Sequence, residues 1–193
     1  MSSRQHILAN IKKKQPAFAS VPDVVVDAIR YPDLFVQFST VLTTIGGTVL
    51  EATSVAEITQ QIRATFPTAK RIVAIGADLN DGANAPLASD PHELENVDVA
   101  VLQGLMGVAE NGAIWIADRA MGDRALPFIC QHLVLIISKG SIVNNLQEAY
   151  QKIGNSSYAL GTFIAGPSKT ADIEQSLVLG AHGAKSLTVF VLT

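Results

Sequence analysis

The stretch Leu133-Val134-Leu135-Ile136-Ile137-Ser138 sets five aliphatic residues in a row with no polar residue among them. A strand with one wet face alternates apolar and polar side chains, so an unbroken run of this length predicts a strand buried on both faces, the habit of a parallel sheet covered by helices. Working outward, Arg71 to Gly76, Val97 to Leu102, Ala113 to Ala117, Leu160 to Ala165 and Leu187 to Leu192 have the same short, Val-, Ile- and Leu-rich character. All six read as central strands of one mostly parallel sheet.

Helical signals fall between them. Leu34, Phe38, Val41 and Ile45 recur on one helical face ahead of Gly46-Gly47, and Ser54 with Glu57 makes a capping-box pattern before Ile58 and Ile62. A third helix is predicted from Ser141 as N-cap, through Val143, Leu146, Tyr150 and Ile153, to a stop at Gly154. The fold class is therefore α/β, a mostly parallel sheet flanked by helices. No repeat or linker marks a boundary, so residues 1–193 are expected to form a single domain.

Composition narrows the function. Hydrophobic residues are 48% of the chain and charged ones 16%, with mean hydropathy +0.30, too apolar for a disordered chain. A net charge of -3 without a basic stretch excludes a phosphate-backbone footprint, so nucleic acid is not an expected partner. No apolar run reaches membrane-spanning length, and Met1 to Pro16 reverses the order of a signal peptide; the expected location is the cytoplasm, with no membrane insertion. Lys12, Lys13 and Lys14 read as a solvated last helical turn. The lone Cys130 excludes an internal disulfide and cannot supply the four thiolates of an iron–sulfur cluster; within Leu126-Pro127-Phe128-Ile129-Cys130 it reads as a buried, inert thiol. Residues 77–91 carry too many turn formers for regular structure, and read either as a lid or binding loop or as disorder.

The densest chemical constellation is Ala165-Gly166-Pro167-Ser168-Lys169-Thr170-Ala171-Asp172-Ile173-Glu174, after a strand and ahead of Ile173, Leu177 and Val178 at helical spacing. Gly166 permits a tight turn, Ser168 or Thr170 can cap the helix, and the free N–H groups of its first turn attract phosphate or carboxylate. An ordinary helix cap explains the same residues. Pro167 stands where a P-loop would need a donor, which excludes that mode of nucleotide binding.

A second group is Gly107-Val108-Ala109-Glu110-Asn111-Gly112. An ionised Glu110 on an exposed turn can act as a covalent nucleophile, with Gly112 admitting a substrate close to the backbone; on spacing alone, however, Asn-Gly is first the mark of a plain, solvated hairpin. In a third run, Asp118, Arg119, Asp123, Arg124, Pro127 and His132, either arginine can clamp an acidic ligand or make surface ion pairs. His182, between Gly180-Ala181 and Gly183, sits on a turn where a near-neutral pKa suits acid–base work. Histidines and carboxylates lack metal-ligand spacing, and neither Gly-x-Gly-x-x-Gly nor Gly-x-Ser-x-Gly is present, so no metal and no dinucleotide cofactor is expected.

The pairing of Gly166-Pro167-Ser168-Lys169-Thr170-Ala171-Asp172-Ile173-Glu174 with Gly180-Ala181-His182-Gly183, supported by Glu110-x-Gly112, Arg124-x-x-Pro127 and His132, resembles the lactate-utilisation protein C family, whose shared region is the LUD domain. The resemblance is clearest over residues 97–193. It departs from the family's usual residues at Asn111, Ala181 and Ala184, commonly Thr, Val and Pro. It implies a fold similar to sugar-phosphate isomerases and CoA transferases, and a part in oxidising L-lactate to pyruvate with iron–sulfur partner proteins. Three functions follow: a non-redox subunit or accessory protein binding a small carboxylate or phosphate through Gly166, Ser168, Lys169, Thr170, Arg124, His182 and Gly183; an acyl-CoA transferase or hydrolase using Glu110, as a Glu-Asn-Gly turn does in class I CoA transferases; or a regulatory or structural protein.

Overall fold

In the computed structural model, residues 2–20, 28–76, 90–154, 156–170 and 177–193 are described. Most of the 77–91 stretch lies outside them, as do positions 171–176. The elements in chain order are α1 (Ser3–Lys13), α2 (Leu34–Thr44), β1 (Thr48–Ala52), α3 (Val55–Thr65), β2 (Ile72–Ile75), β3 (Val99–Gln103), β4 (Met106–Val108), β5 (Ile114–Ala117), α4 (Leu126–Ile129), β6 (His132–Ser138), β7 (Ile142–Val143), α5 (Leu146–Ile153), β8 (Gly161–Ile164), β9 (Lys169–Thr170), β10 (Val178–Leu179) and β11 (Ser186–Leu192).

The main sheet has the order β1-β11-β6-β3-β2, with every pairing parallel. Its strands send alternate side chains to two faces, as the period of two requires. On β3, Val99 and Val101 join one buried cluster while Ala100 and Leu102 join another, and β6 divides the same way between Val134 and Ile136 and Leu133, Leu135 and Ile137. The first cluster is closed by Ile58 and Ile62 of α3. The second takes in Phe38 and Leu42 of α2 and Leu126 of α4.

A smaller sheet, β7-β4-β5-β8, lies against this second cluster. Ile114 and Ile116 of β5 point into the shared core, whereas Trp115 points the other way, towards Ala149 and Ile153 of α5. Two of the six expected strands therefore lie elsewhere than predicted. Ala113 to Ala117 and Leu160 to Ala165 supply β5 and β8, which pair antiparallel with each other, and β5 also pairs antiparallel with β4. Both faces of β5 are buried because helix covers one and the main sheet's core covers the other, so its apolar run says nothing about strand direction.

The helix starts were partly misplaced as well. Ser54 does cap α3, accepting from the Glu57 N–H, while Glu57 reaches back to Thr53 rather than closing on Ser54. Ser141 is not a cap: its hydroxyl donates to the Ser138 carbonyl within a 3₁₀ turn, β7 follows, and Asn145 caps α5 instead. Downstream of Thr170, Val178 belongs to strand β10, which pairs antiparallel with β9. The predicted helix is thus replaced at Val178 by the strand that pairs with β9, while Leu177 carries no regular structure and Ile173 lies outside the described residues.

Candidate functional site

Gly166 and Pro167 leave β8 in a turn that lies on the C-terminal end of α2. Gly166 has φ +73°, and a Cβ on it would stand 3.0 Å from the Ile45 carbonyl oxygen, so both backbone conformation and proximity require glycine. The Lys169 ammonium donates to that same carbonyl at 2.6 Å, placing a cation at the negative end of the helix. Ser168 then joins the segment to the turn before β11: its N–H donates to Ala184 O at 2.9 Å and its carbonyl accepts from Gly180 N–H at 3.1 Å. Gly183 lies directly over it, where a Cβ would meet the Ser168 Cβ at 3.1 Å.

This packing creates a cavity of about 350 Å³ whose lining includes Gly166, Ser168, Lys169, His182 and Gly183. Phe128, Leu133, Phe163 and Leu187 supply apolar wall. Five of the expected site residues, 13 or more positions apart across the two motifs, are brought together. Their mode differs from the expectation. Lys169 and Thr170 form a strand rather than a first helical turn, and the Ser168 N–H is already bonded, so any ligand must be met chiefly by side chains. Among the described residues, the Ser168 hydroxyl and the His182 imidazole have no hydrogen-bond partner. Phe128, 45% exposed, was missed; its position one residue after the Arg124-x-x-Pro127 motif was the available signal.

Three expected residues lie outside this lining. Thr170 belongs to β9 beyond the cavity. Arg124 pairs with Asp118 at 3.2 Å in a shallow depression with Arg119 and Gly122. Glu110 stands outside the cavity lining, where the chain turns from β4 into β5 at the same end of the small sheet as the Gly166 turn, so the hairpin geometry is present. Its Oε2 accepts from the Leu146 N–H at 3.1 Å, beside Asn145, which accepts from Glu148 N–H, and Glu148, which accepts from Asn144 N–H. These bonds satisfy donors that the first turn of α5 would otherwise leave bare. Gly112 is buried, and what approaches it is the backbone of α2 at Leu42 rather than open space for a substrate.

The Glu110 contact has a measurable consequence. Glu110→Ala is expected to destabilise the fold by about 1 kcal/mol, with Glu110→Gln, which keeps an acceptor, costing less. Urea midpoints of the three proteins check this ordering. Equal stabilities would remove the capping role.

His132 opens β6 in the middle of the main sheet, sharing a 2.8 Å hydrogen bond with the Ser186 hydroxyl and packing on the Phe66 ring. Burial, followed by the charge of Lys185, lowers its pKa from the ordinary histidine value, against the opposing pull of Asp98. Cys130 is buried, and desolvation pushes its thiol up to about 12, which leaves it protonated and unreactive at neutral pH. No group of three or more potential metal ligands occurs among the described residues, and none of their helices is long and apolar enough to cross a membrane.

The family model for the LUD domain matches residues 36–192, from α2 to the last strand. The chain belongs to the LUD domain family. Among curated proteins, this LUD domain is 32% identical over 92 residues to lactate utilization protein C 1 of Bacillus mycoides (strain KBAB4), covering 45% of this chain and 39% of that protein. It is 30% identical over 110 residues to lactate utilization protein C of Geobacillus thermodenitrificans (strain NG80-2), covering 54% and 45%. The chain thus spans less than half the length of these relatives. A crystal structure of a DUF162 family protein from Deinococcus radiodurans superposes with TM-score 0.64 at 20% identity, covering 83% of this chain and 96% of that one, a likeness of fold.

Proposed function

We propose that this LUD domain is a non-redox component of an L-lactate utilisation system, acting in the cytoplasm as a single α/β domain that binds a small anionic ligand. The observation that carries the reading is the cavity in which the two halves of the C-terminal signature meet, with the Ser168 hydroxyl and the His182 imidazole unpartnered among the described residues. A carboxylate or phosphate oxygen can accept from both, and the apolar wall suits a short carbon substituent. Lys169 contributes positive potential from its place on the α2 terminus, and Gly166 and Gly183 let the two segments close. The names of the relatives supply the metabolic context. One cysteine cannot ligate an iron–sulfur cluster, so the electrons of lactate oxidation pass through iron–sulfur partner proteins in this reading. The acyl-CoA alternative gains no support from Glu110, whose carboxylate is engaged at α5.

Thermal unfolding in the presence of L-lactate, pyruvate, inorganic phosphate or coenzyme A tests the proposal. A ligand at a hundred times its Kd stabilises the fold by about 2.7 kcal/mol, and so raises Tm by about 5 to 10 °C at this chain length. Ser168→Ala and His182→Ala are expected to shrink that rise while leaving the ligand-free Tm nearly unchanged. Without a shift sensitive to these substitutions, the anion site falls.

A further inference from the structure

A second cavity lies on the α5 side of the small sheet, where nothing above assigns a role. It measures about 270 Å³ and is bounded by Met106 and Trp115 from the sheet, Ile153 and Lys152 from α5, Tyr158 from the segment before β8, and Arg119 from the turn after β5. Its chemistry is divided. The inner wall is apolar and aromatic: Trp115 is held edge-on by Tyr158 at 5.4 Å between ring centroids and tilted against Phe163 at 4.8 Å. The Trp115 ring is fixed from behind by Gly161, where a Cβ would lie 2.3 Å from two of its carbons.

The rim is cationic. Arg119 and Lys152 both line the cavity, no acidic side chain does, and among the described residues neither cation makes an ion pair. Nearby carboxylates are otherwise engaged: Asp118 binds Arg124, and Glu148, which feels the charge of Lys152, is bonded to Asn144. The Ser156 and Ser141 hydroxyls donate to the Ile153 and Ser138 carbonyls, which leaves Arg119 and Lys152 as the charged groups of the lining, with the Ser157 and Tyr158 hydroxyls as further polar groups beside them.

We propose that this cavity is a binding site for a small aryl carboxylate, one aromatic ring on a short acid arm. The ring would lie against Trp115 and Met106, where aromatic and sulfur–aromatic contacts favour a flat apolar body. The carboxylate would meet Arg119, whose planar fork matches two oxygens, with Lys152 adding charge. The volume, about 270 Å³, lies just below the roughly 300 Å³ at which drug-sized sites begin, which suits a small occupant such as one ring on a short acid arm.

Trp115 is the chain's only tryptophan, so its emission reports on this wall directly. The test titrates the full chain with benzoate, phenylacetate and 3-phenylpropionate while following tryptophan emission, with benzamide as the uncharged control and acetate as the ringless one. A saturable change with at least one aryl acid is expected, with benzamide and acetate at least tenfold weaker. Arg119→Ala and Lys152→Ala, both at exposed positions, should each raise the apparent Kd about five- to tenfold. Because Phe163 touches Trp115 and also lines the Ser168 cavity, Ser168→Ala and His182→Ala are run in parallel and should leave the titration unchanged. That arm separates this site from the one in the proposed function. Absence of saturation up to millimolar acid, equal binding of benzamide, or a response altered by the Ser168 and His182 variants but not by the Arg119 and Lys152 variants would overturn the proposal.

Discussion

Gly112→Val is expected to destabilise the protein by about 3 to 5 kcal/mol, a large part of the roughly 5 to 15 kcal/mol that holds a domain of this kind together. Two causes add. Gly112 has φ +69°, a left-handed conformation that costs a β-branched residue most. A Cβ there would also stand 3.0 Å from both the Leu42 Cα and the Leu42 N, main-chain atoms of a helix that cannot swing aside as a side-chain tip can. Relief would require α2 to lift off the small sheet, and α2 also carries Phe38 and Leu42 into the core. Chemical unfolding monitored by circular dichroism gives the value directly. A loss below about 1 kcal/mol would mean that the turn and α2 are less closely apposed than described, and would restore Gly112 as a place where a ligand can approach.

Phe190→Ala, on the other face of the main sheet, is expected to cost about 3 to 5 kcal/mol through lost transfer energy and the cavity left behind. Phe190 is 1% exposed and belongs to the cluster beneath α3, level with Leu50 of β1 and Ile136 of β6. Phe190→Leu keeps most of the volume and is expected to cost under about 1.5 kcal/mol. Denaturant midpoints for the two variants separate the contributions of volume and shape. Equal losses would argue that the ring's geometry, rather than its bulk, seats α3.

Local pattern made much of this legible. β3, β6 and β11 were readable because a strand buried on both faces is apolar at nearly every position, Thr188 of β11 being a buried exception, and α2 and α3 because one face of each meets the core. The same signal failed to give direction. Ile114-Trp115-Ile116 is as apolar as Leu133 to Ile137, yet β5 belongs to an antiparallel arrangement, because continuous apolarity reports burial on two sides and not which neighbour donates the hydrogen bonds. At the site, the meeting of Ser168 with His182 and Gly183 was accessible only through the resemblance of two motifs to one family, since nothing in either segment's spacing points to the other. The engagement of Lys169 with Ile45 joins residues 124 positions apart and leaves no periodic trace. The apparent helix ahead of Val178 rested on only three apolar residues, too few to fix a period, and at Val178 the backbone is strand instead.

The order of the main sheet has a consequence for biosynthesis. β11 lies between β1 and β6, so the strand translated first in that sheet and the one at its centre are joined only by the strand translated last. While the intervening chain is being made, β1 lacks its sheet partner and β6 presents an open edge to the cell, the kind of edge that recruits foreign strands. The nascent protein must therefore carry that exposed edge until residues 186–192 have cleared the ribosome, and a chain cut before Ser186 would keep most of the core residues yet have a sheet split in two.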